Sequence, residues 1–150
     1  MYKRQLVTPT GFGNPRRMTN GIDVNRVLLL IAVLEKRARM NLSNSDIYVN
    51  VAGGLRIDET AVDLGICAAV ATSQADIPLP PDMIFIGEVG LGGELRGVSQ
   101  LEKRINEAAK LGFKSAIVPK QSLRGVKIPD GFAAYGIKTI SEMINMLRRK

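Results

Sequence analysis

Three closely spaced carboxylates and one thiol are the side chains in this sequence that first suggest metal binding or catalysis. Asp58, Glu59 and Asp63 are close enough to suggest a metal cluster or an acid–base pair, but no further ligand accompanies them. Because the helix dipole and capping favour acidic residues in the first turns of a helix, we interpret all three as marking a helix start. Cys67 lies in an apolar stretch, and the chain has no histidine to act as its base, so we predict a core thiol.

The residue types that are missing exclude several kinds of site. One cysteine and no histidine leave no disulfide framework, no Cys/His zinc site and no imidazole-based triad. The glycine-rich segment Gly87–Gly93 lacks the Lys-Ser/Thr pair of a Walker loop, and Leu95 stands where a dinucleotide fingerprint that starts at Gly90 needs glycine. These glycines are typical of turns, and we expect no cofactor or metal in this chain.

The elements that position these residues are predicted from apolar periodicity. Residues 1–22 are rich in glycine, proline and polar types and are interpreted as an arm. Asp23 is suited to cap a helix over about Val24–Met40, whose apolar residues recur at steps of three and four. Alternation over Asp46–Val51 predicts a strand, and a segment from about 58 to 73, apolar on nearly every side, predicts a buried helix.

The second half of the chain predicts further strands and helices. Ser99 and Glu102 match a capping box for a helix that ends at Gly112. The other predicted elements are a strand at Met83–Ile86, a hairpin over 87–97, strands at Ser115–Pro119 and Tyr135–Lys138, and a helix at Ser141–Arg149. Together these patterns predict a mixed α/β fold.

Length and charge indicate one domain with an anionic partner. A chain of 150 residues with 45% apolar content suits a single compact domain. The net charge of +7 favours a polyanion, because Lys and Arg at phosphates release counterions. No apolar run is long enough to span a membrane and no secretory signal is apparent, so we expect a soluble, cytoplasmic protein without a membrane partner.

Strings spread over nearly the whole chain resemble the C-terminal part of the bacterial RadA (Sms) family, which is distinct from the archaeal recombinase of the same name. The strings are Leu6–Thr10, Phe12–Arg17, Gly21–Arg26, Ala32–Arg37, Asn50–Gly54, Asp58–Leu64, and the stretch from Gly87–Leu91 through Gly112–Phe113. In that family this part is similar to the proteolytic domain of Lon, whose fold is grouped with the second domain of ribosomal protein S5. The resemblance therefore implies a Lon protease-like domain over residues 23–150, preceded by the arm from an ATPase domain.

The resemblance to Lon allows the peptidase chemistry to be tested residue by residue. Lon carries its nucleophile in an Asp-Gly-Pro-Ser-Ala-Gly string, and Ala61 stands at the position of that serine. Lon's base ends a Gly-Gly-Leu-Lys-Glu-Lys string, and Arg104 stands at the position of that lysine. Alanine has no hydroxyl, and arginine does not deprotonate in proteins, so the resemblance implies a domain without catalytic residues.

Two alternatives concern the residues beside the lost dyad. A peptidase could use Thr60 and Lys103 as a displaced dyad, although Lys103 lies about 100° around the helix from position 104. In the non-proteolytic interpretation, the Lon-like layout suggests that Arg104 pairs with Asp63.

The family implies a larger parent protein. Its members carry an N-terminal zinc motif and a RecA-like ATPase domain, so ATP, magnesium and zinc are expected outside this chain. The ATPase drives branch migration or helicase-like movement in recombinational repair. The Lon-like domain would help to assemble a homo-oligomer, expected to be a hexameric ring, and would contact single-stranded or branched DNA. A recombinase of the RecA type is a further candidate partner.

Six basic residues are the candidates for DNA contact: Arg16, Arg17, Lys103, Arg104, Lys110 and Lys114. The seven Phe and Tyr residues are scattered, so contact should be to phosphates and independent of sequence. Two alternatives remain open. The lysines and arginine of the capped helix could simply solvate its outer face, and the domain could be a ring-forming module without DNA contact.

Overall fold

A computed structural model describes residues 3–11 and 13–149 of the chain. Its helices are α1 (Val24–Arg37), α2 (Asp63–Ala75), α3 (Leu101–Lys110) and α4 (Ile140–Arg148). Its strands are β1 (Lys3–Pro9), β2 (Arg17–Asn20), β3 (Ser45–Val51), β4 (Met83–Phe85), β5 (Glu88–Val89), β6 (Leu95–Arg96), β7 (Ser115–Pro119) and β8 (Ala133–Ile137). The mixed α/β fold class is confirmed, with the strands divided among three small sheets.

The first sheet has the order β1-β3-β2, with β1 antiparallel and β2 parallel to β3. Ile47, Val49 and Val51 alternate along β3 and are buried, because successive side chains of a strand point to opposite faces. Residues 3–9 and 17–20 were expected to lie in an irregular arm, and this expectation is wrong. The backbone groups of β3 pair with both segments, and such pairing overrides their weak local preference. Residues 1, 2 and 12 of the predicted arm lie outside the described residues.

The second sheet is parallel, in the order β4-β7-β8, and β5 pairs with β6 in a separate hairpin. Ala116, Ile117 and Val118 of the central strand β7 are all fully buried, as expected for a strand covered on both faces. The side chains of Leu101, Ile105 and Ala108 on α3 belong to the hydrophobic cluster beside this sheet. Helix α3 is thus attached to the second sheet.

Helix α2 runs through the centre of the molecule. Nine of its residues are buried, and Cys67 has no exposed surface, which confirms the predicted core thiol. The helix begins later than predicted, because a 3-10 turn at Thr60–Val62 precedes it. Asp23 caps α1 as predicted, since its carboxylate accepts a hydrogen bond from the Asn25 N–H at 3.0 Å.

The start of α3 corrects the predicted capping box. Gln100, with φ 57°, occupies the N-cap position in a left-handed conformation, and its side chain makes no capping hydrogen bond. The Ser99 carbonyl instead accepts a hydrogen bond from the Arg104 guanidinium. The helix ends as predicted, with Gly112 at φ +94° just beyond it. None of the helices in the described ranges combines the length and the apolar character needed to cross a membrane.

Candidate functional site

Ala61 lies in the 3-10 turn that leads into α2. Its side chain is 7% exposed and belongs to the same hydrophobic cluster as Leu101 and Ile105 of α3. The Ala61 carbonyl accepts a hydrogen bond from the Gly87 N–H at 2.9 Å, and the Gly87 carbonyl accepts one from the Leu64 N–H at 3.0 Å. These two bonds fix the turn against the segment that enters β5. Position 61, which the resemblance to Lon assigns to the serine, is therefore held firmly and carries only a methyl group.

Arg104 lies in the first turn of α3, next to the turn that holds Ala61. Its Nε donates to the Ser99 carbonyl at 3.0 Å, and its terminal nitrogen forms an ion pair with Glu59. Glu59 precedes Ala61 by two residues, so this ion pair links the turn that holds Ala61 to helix α3. The expected pair between Arg104 and Asp63 is wrong. A guanidinium in an ion pair stays protonated and cannot accept a proton.

Asp63 is bound to α1 instead. Its side chain is fully buried at the start of α2 and accepts from the Arg26 Nε at 3.0 Å and from the Val89 N–H at 3.1 Å. The hydrogen bond to Asp63 raises the pKa of the Arg26 guanidinium above its ordinary value, so Arg26 remains charged. The sequence did not reveal Arg26, because 37 residues separate it from its partner and no local pattern links them.

The three neighbouring carboxylates point to three different arginines. Asp58 lies 3.4 Å from Arg56 in an exposed pair, whereas Glu59 and Asp63 pair with Arg104 and Arg26. Within the described part of the chain, no three His, Cys, Asp or Glu side chains are grouped as they would be around a metal ion. Glu59 and Asp63 thus connect segments that are distant in sequence, whereas the pair of Asp58 with Arg56 is local.

Thr60 has a carboxylate partner. Its hydroxyl donates to Glu88 Oε2 at 2.9 Å, and Glu88 Oε1 lies 3.6 Å from a guanidinium nitrogen of Arg96. Lys103, the other half of the hypothetical displaced dyad, has an exposed side chain on α3. The hydroxyl closest to the position of the Lon serine is therefore engaged with Glu88.

The six basic residues proposed from sequence occupy two parts of the fold. Arg16 and Arg17 lie at the first sheet, and the Arg17 guanidinium donates to the carbonyls of Arg16, Leu42 and Ser45, so it serves the fold. The other four lie on α3 or just after it. Arg104 is paired with Glu59, and Lys110 lies 3.8 Å from Glu107. Three of the six remain exposed and, among the described residues, have no carboxylate within ion-pair distance: Arg16, Lys103 and Lys114.

Comparison with known proteins identifies the relatives of the chain. A family model described as subunit ChlI of Mg-chelatase matches residues 25–122. DNA repair protein RadA of Streptococcus pyogenes serotype M1 is 49% identical over 142 residues, which cover 95% of this chain and 31% of that protein. The RadA proteins of Halalkalibacterium halodurans and Bacillus subtilis are 51% and 52% identical over 94% and 93% of this chain, and 31% and 30% of their own lengths.

The chain thus spans about a third of the length of the curated relatives it matches. The identity extends over nearly all of this chain, which confirms the resemblance to bacterial RadA. The chain belongs to the family described as subunit ChlI of Mg-chelatase, and it matches one part of the DNA repair protein RadA.

Proposed function

We propose that this chain is a non-proteolytic Lon-like domain of a RadA-type DNA repair protein that contacts DNA phosphates and supports ring assembly. The identity of about half of the residues with DNA repair protein RadA carries the proposal. In this account the chain has no catalytic residue of its own. The parent protein would be a cytoplasmic, DNA-dependent ATPase that acts in branch migration.

The geometry at positions 61 and 104 supports the absence of peptidase activity. Serine peptidases need a hydroxyl and a base that can take its proton. The methyl group of Ala61 packs in a hydrophobic cluster, and the Arg104 guanidinium is paired with Glu59. The two positions at which Lon performs chemistry thus have packing and ion-pairing roles in this chain.

The charge of the chain supports contact with DNA. A net charge of +7 provides a sequence-independent attraction for phosphates. Of the sequence-predicted contacts, we assign the strongest role to Arg16, Lys103 and Lys114, whose side chains are exposed. Arg17, Arg104 and Lys110 would contribute less, because carbonyls or carboxylates already occupy their donors.

The remaining roles belong to the parent protein. We propose that ATP, magnesium and zinc bind in its other domains, that it forms a homo-oligomer, expected to be a hexameric ring, and that a RecA-type recombinase is a candidate partner. The chain covers about a third of its relatives, so the surface for ring formation could be shared with those domains. Sedimentation of the full-length protein beside this chain measures how much of the assembly each supplies.

A salt series with fluorescent single-stranded DNA tests the proposal. The wild-type chain should bind with an affinity that falls steeply with salt, and Lys103→Ala/Arg104→Ala should reduce the slope of log affinity against log salt by about 1. We expect the loss of about one phosphate contact and not two, because Arg104 is already paired with Glu59. Absence of binding at low salt would remove DNA contact from this domain and leave a ring-forming module.

A further inference from the structure

Four basic side chains line a surface groove, and none of the residues proposed from sequence is among its lining residues. Its volume is about 870 Å³, and it is bordered by β6, by the 3-10 turn Lys120–Leu123 and by the link between β8 and α4. Its cations are Arg96, Lys120, Arg124 and Lys138, and we call this feature the basic groove. Leu95 and Leu123 supply its apolar side chains.

Positive charge predominates in the basic groove. Glu94 is the carboxylate among its lining residues, and it lies 3.6 Å from Arg96, which Glu88 also approaches at 3.6 Å. Arg96 is therefore partly neutralised. In the described part of the chain, no carboxylate lies within ion-pair distance of Lys120, Arg124 or Lys138. These three cations are the ones available to an external anion.

The walls of the groove are joined by hydrogen bonds. The Leu95 N–H donates to the Lys138 carbonyl at 2.8 Å, which ties β6 to the end of β8. The Val98 N–H donates to the Ser122 hydroxyl at 3.1 Å, which ties the segment after β6 to the 3-10 turn. The groove is thus formed without a ligand, and little ordering of the backbone would be needed on binding.

The turn and β8 are also in close contact. A Cβ built on Gly136 would lie 3.1 Å from the Lys120 Cα and 2.8 Å from a Leu123 methyl carbon. Glycine at this position allows the turn to pack directly on β8. The packing brings the backbone positions of Lys120 and Lys138 to the same end of the second sheet.

We propose that the basic groove binds the phosphodiester backbone of single-stranded nucleic acid without regard to sequence. This inference rests on the proposed function and adds a site to it. No Phe or Tyr lines the groove, so base stacking is not available and the ligand would be held by its phosphates. A single strand is flexible enough for its backbone to follow a basic groove of this kind.

Two variants with the same net charge test the inference in this 150-residue chain. The groove variant is Lys120→Ala/Arg124→Ala/Lys138→Ala, and the control variant is Lys36→Ala/Arg148→Ala/Arg149→Ala. All six side chains are exposed and, among the described residues, form no ion pair, so both variants should unfold at the temperature of the wild type. Fluorescence anisotropy with an oligo-dT probe, over a salt series, measures affinity.

We expect the groove variant to bind the oligo-dT probe about tenfold more weakly at low salt. The slope of its log affinity against log salt should be shallower by about 2. The control variant should stay within about threefold of the wild type. Equal losses in the two variants, or wild-type binding by the groove variant, would overturn the inference while the proposed DNA contact stood. A wild-type chain that does not bind oligo-dT would overturn both the inference and the proposed DNA contact.

A labelled poly-glutamate peptide distinguishes an acidic protein segment from nucleic acid. The wild-type chain should prefer oligo-dT, and excess unlabelled oligo-dT should displace any bound peptide. Groove-dependent binding of poly-glutamate that oligo-dT does not displace would overturn the inference and assign the groove to an acidic partner.

Discussion

Buried Asp63 connects three segments of the chain through its hydrogen bonds to Arg26 and Val89. Its carboxylate holds Arg26 of α1 and the backbone N–H of Val89 in β5, while Asp63 itself begins α2. A carboxylate without access to water is stable only when such donors surround it. The residue that occupies the last position of the Lon serine string in this chain is thus an anchor of the fold.

Replacing Asp63 should destabilise the domain strongly. Asp63→Ala leaves the Val89 N–H and the partly buried Arg26 without their acceptor, and we expect a loss of about 3 kcal/mol in the free energy of unfolding. Urea denaturation followed by circular dichroism measures it. Asp58→Ala removes an exposed carboxylate and should unfold like the wild type. Similar midpoints for the two variants would show that the buried ion pair contributes little.

Restoring a hydroxyl at position 61 should not restore peptidase activity. Ala61→Ser supplies the missing nucleophile, but Arg104 cannot act as its base, so unfolded casein should remain intact and a serine-reactive probe should not label the protein. The wild-type chain should also be inactive. Casein turnover that disappears in Thr60→Ala would instead support the displaced dyad of Thr60 and Lys103.

At the scale of elements, the junction between β2 and α1 depends on a glycine. Gly21 has φ +84°, and a Cβ built there would lie 2.3 Å from the Leu55 carbonyl oxygen and 2.8 Å from the Val51 Cβ. No side chain fits without a shift of backbone, and this junction would have to move away from the segment between Val51 and Leu55.

A matched pair of alanine variants isolates this close approach. Gly131 has a similar φ of +79° but nothing within 4 Å of its would-be Cβ. Gly131→Ala should lower the free energy of unfolding by about 1 kcal/mol, because alanine is strained in the left-handed conformation. Gly21→Ala should lower it by about 2 kcal/mol more, because of the added clash. Urea denaturation compares the two. Equal losses would indicate that the backbone around Leu55 yields easily.

Elements with a local apolar period could be predicted from the sequence, and those that depend on distant pairing could not. Helix α1 and strand β7 lie close to their predicted bounds, and the buried helix α2 was predicted with a start that is too early. The spacing of the apolar residues in these elements indicates which of their faces are buried. Strands β1 and β2 were missed, since their hydrogen bonds come from β3. The capping box at Ser99 failed because Gln100 takes a left-handed conformation that no local pattern indicated.

The same distinction applies to the candidate site. The resemblance to Lon predicts the roles of positions 61 and 104, and those roles stay predictions. The predicted partner of Arg104 was wrong, because Glu59 and Asp63 are both carboxylates and the sequence did not indicate which of them is buried. No pattern in the sequence indicated the basic groove. Its cations come from three separate segments, which are brought together by the packing of the 3-10 turn on β8 and by hydrogen bonds from β6 and the segment after it.

At the scale of the whole molecule, the fold keeps a Lon-like layout while its charged residues serve other purposes. Ion pairs join the start of α2 to α1 and the segment before α2 to α3, and the cations that remain exposed are spread over the surface. A net charge of +7 makes this surface attractive to nucleic acid at low salt, and the attraction should weaken as salt rises. This domain would contribute affinity for DNA, and the proposed ATPase of the parent would contribute movement.

The central claim is that this domain contacts DNA, and a titration of the ¹⁵N-labelled chain with oligo-dT at low salt, followed by amide chemical shifts, tests it most directly. A chain of 16.3 kDa gives resolved spectra, so the experiment reports binding and location together. We predict shifts in the basic groove, largest for Lys120–Arg124 and Lys138, with smaller ones near Lys103, and recovery of the free spectrum on addition of salt. A spectrum unchanged by excess oligo-dT at low salt would contradict the proposed role in DNA contact.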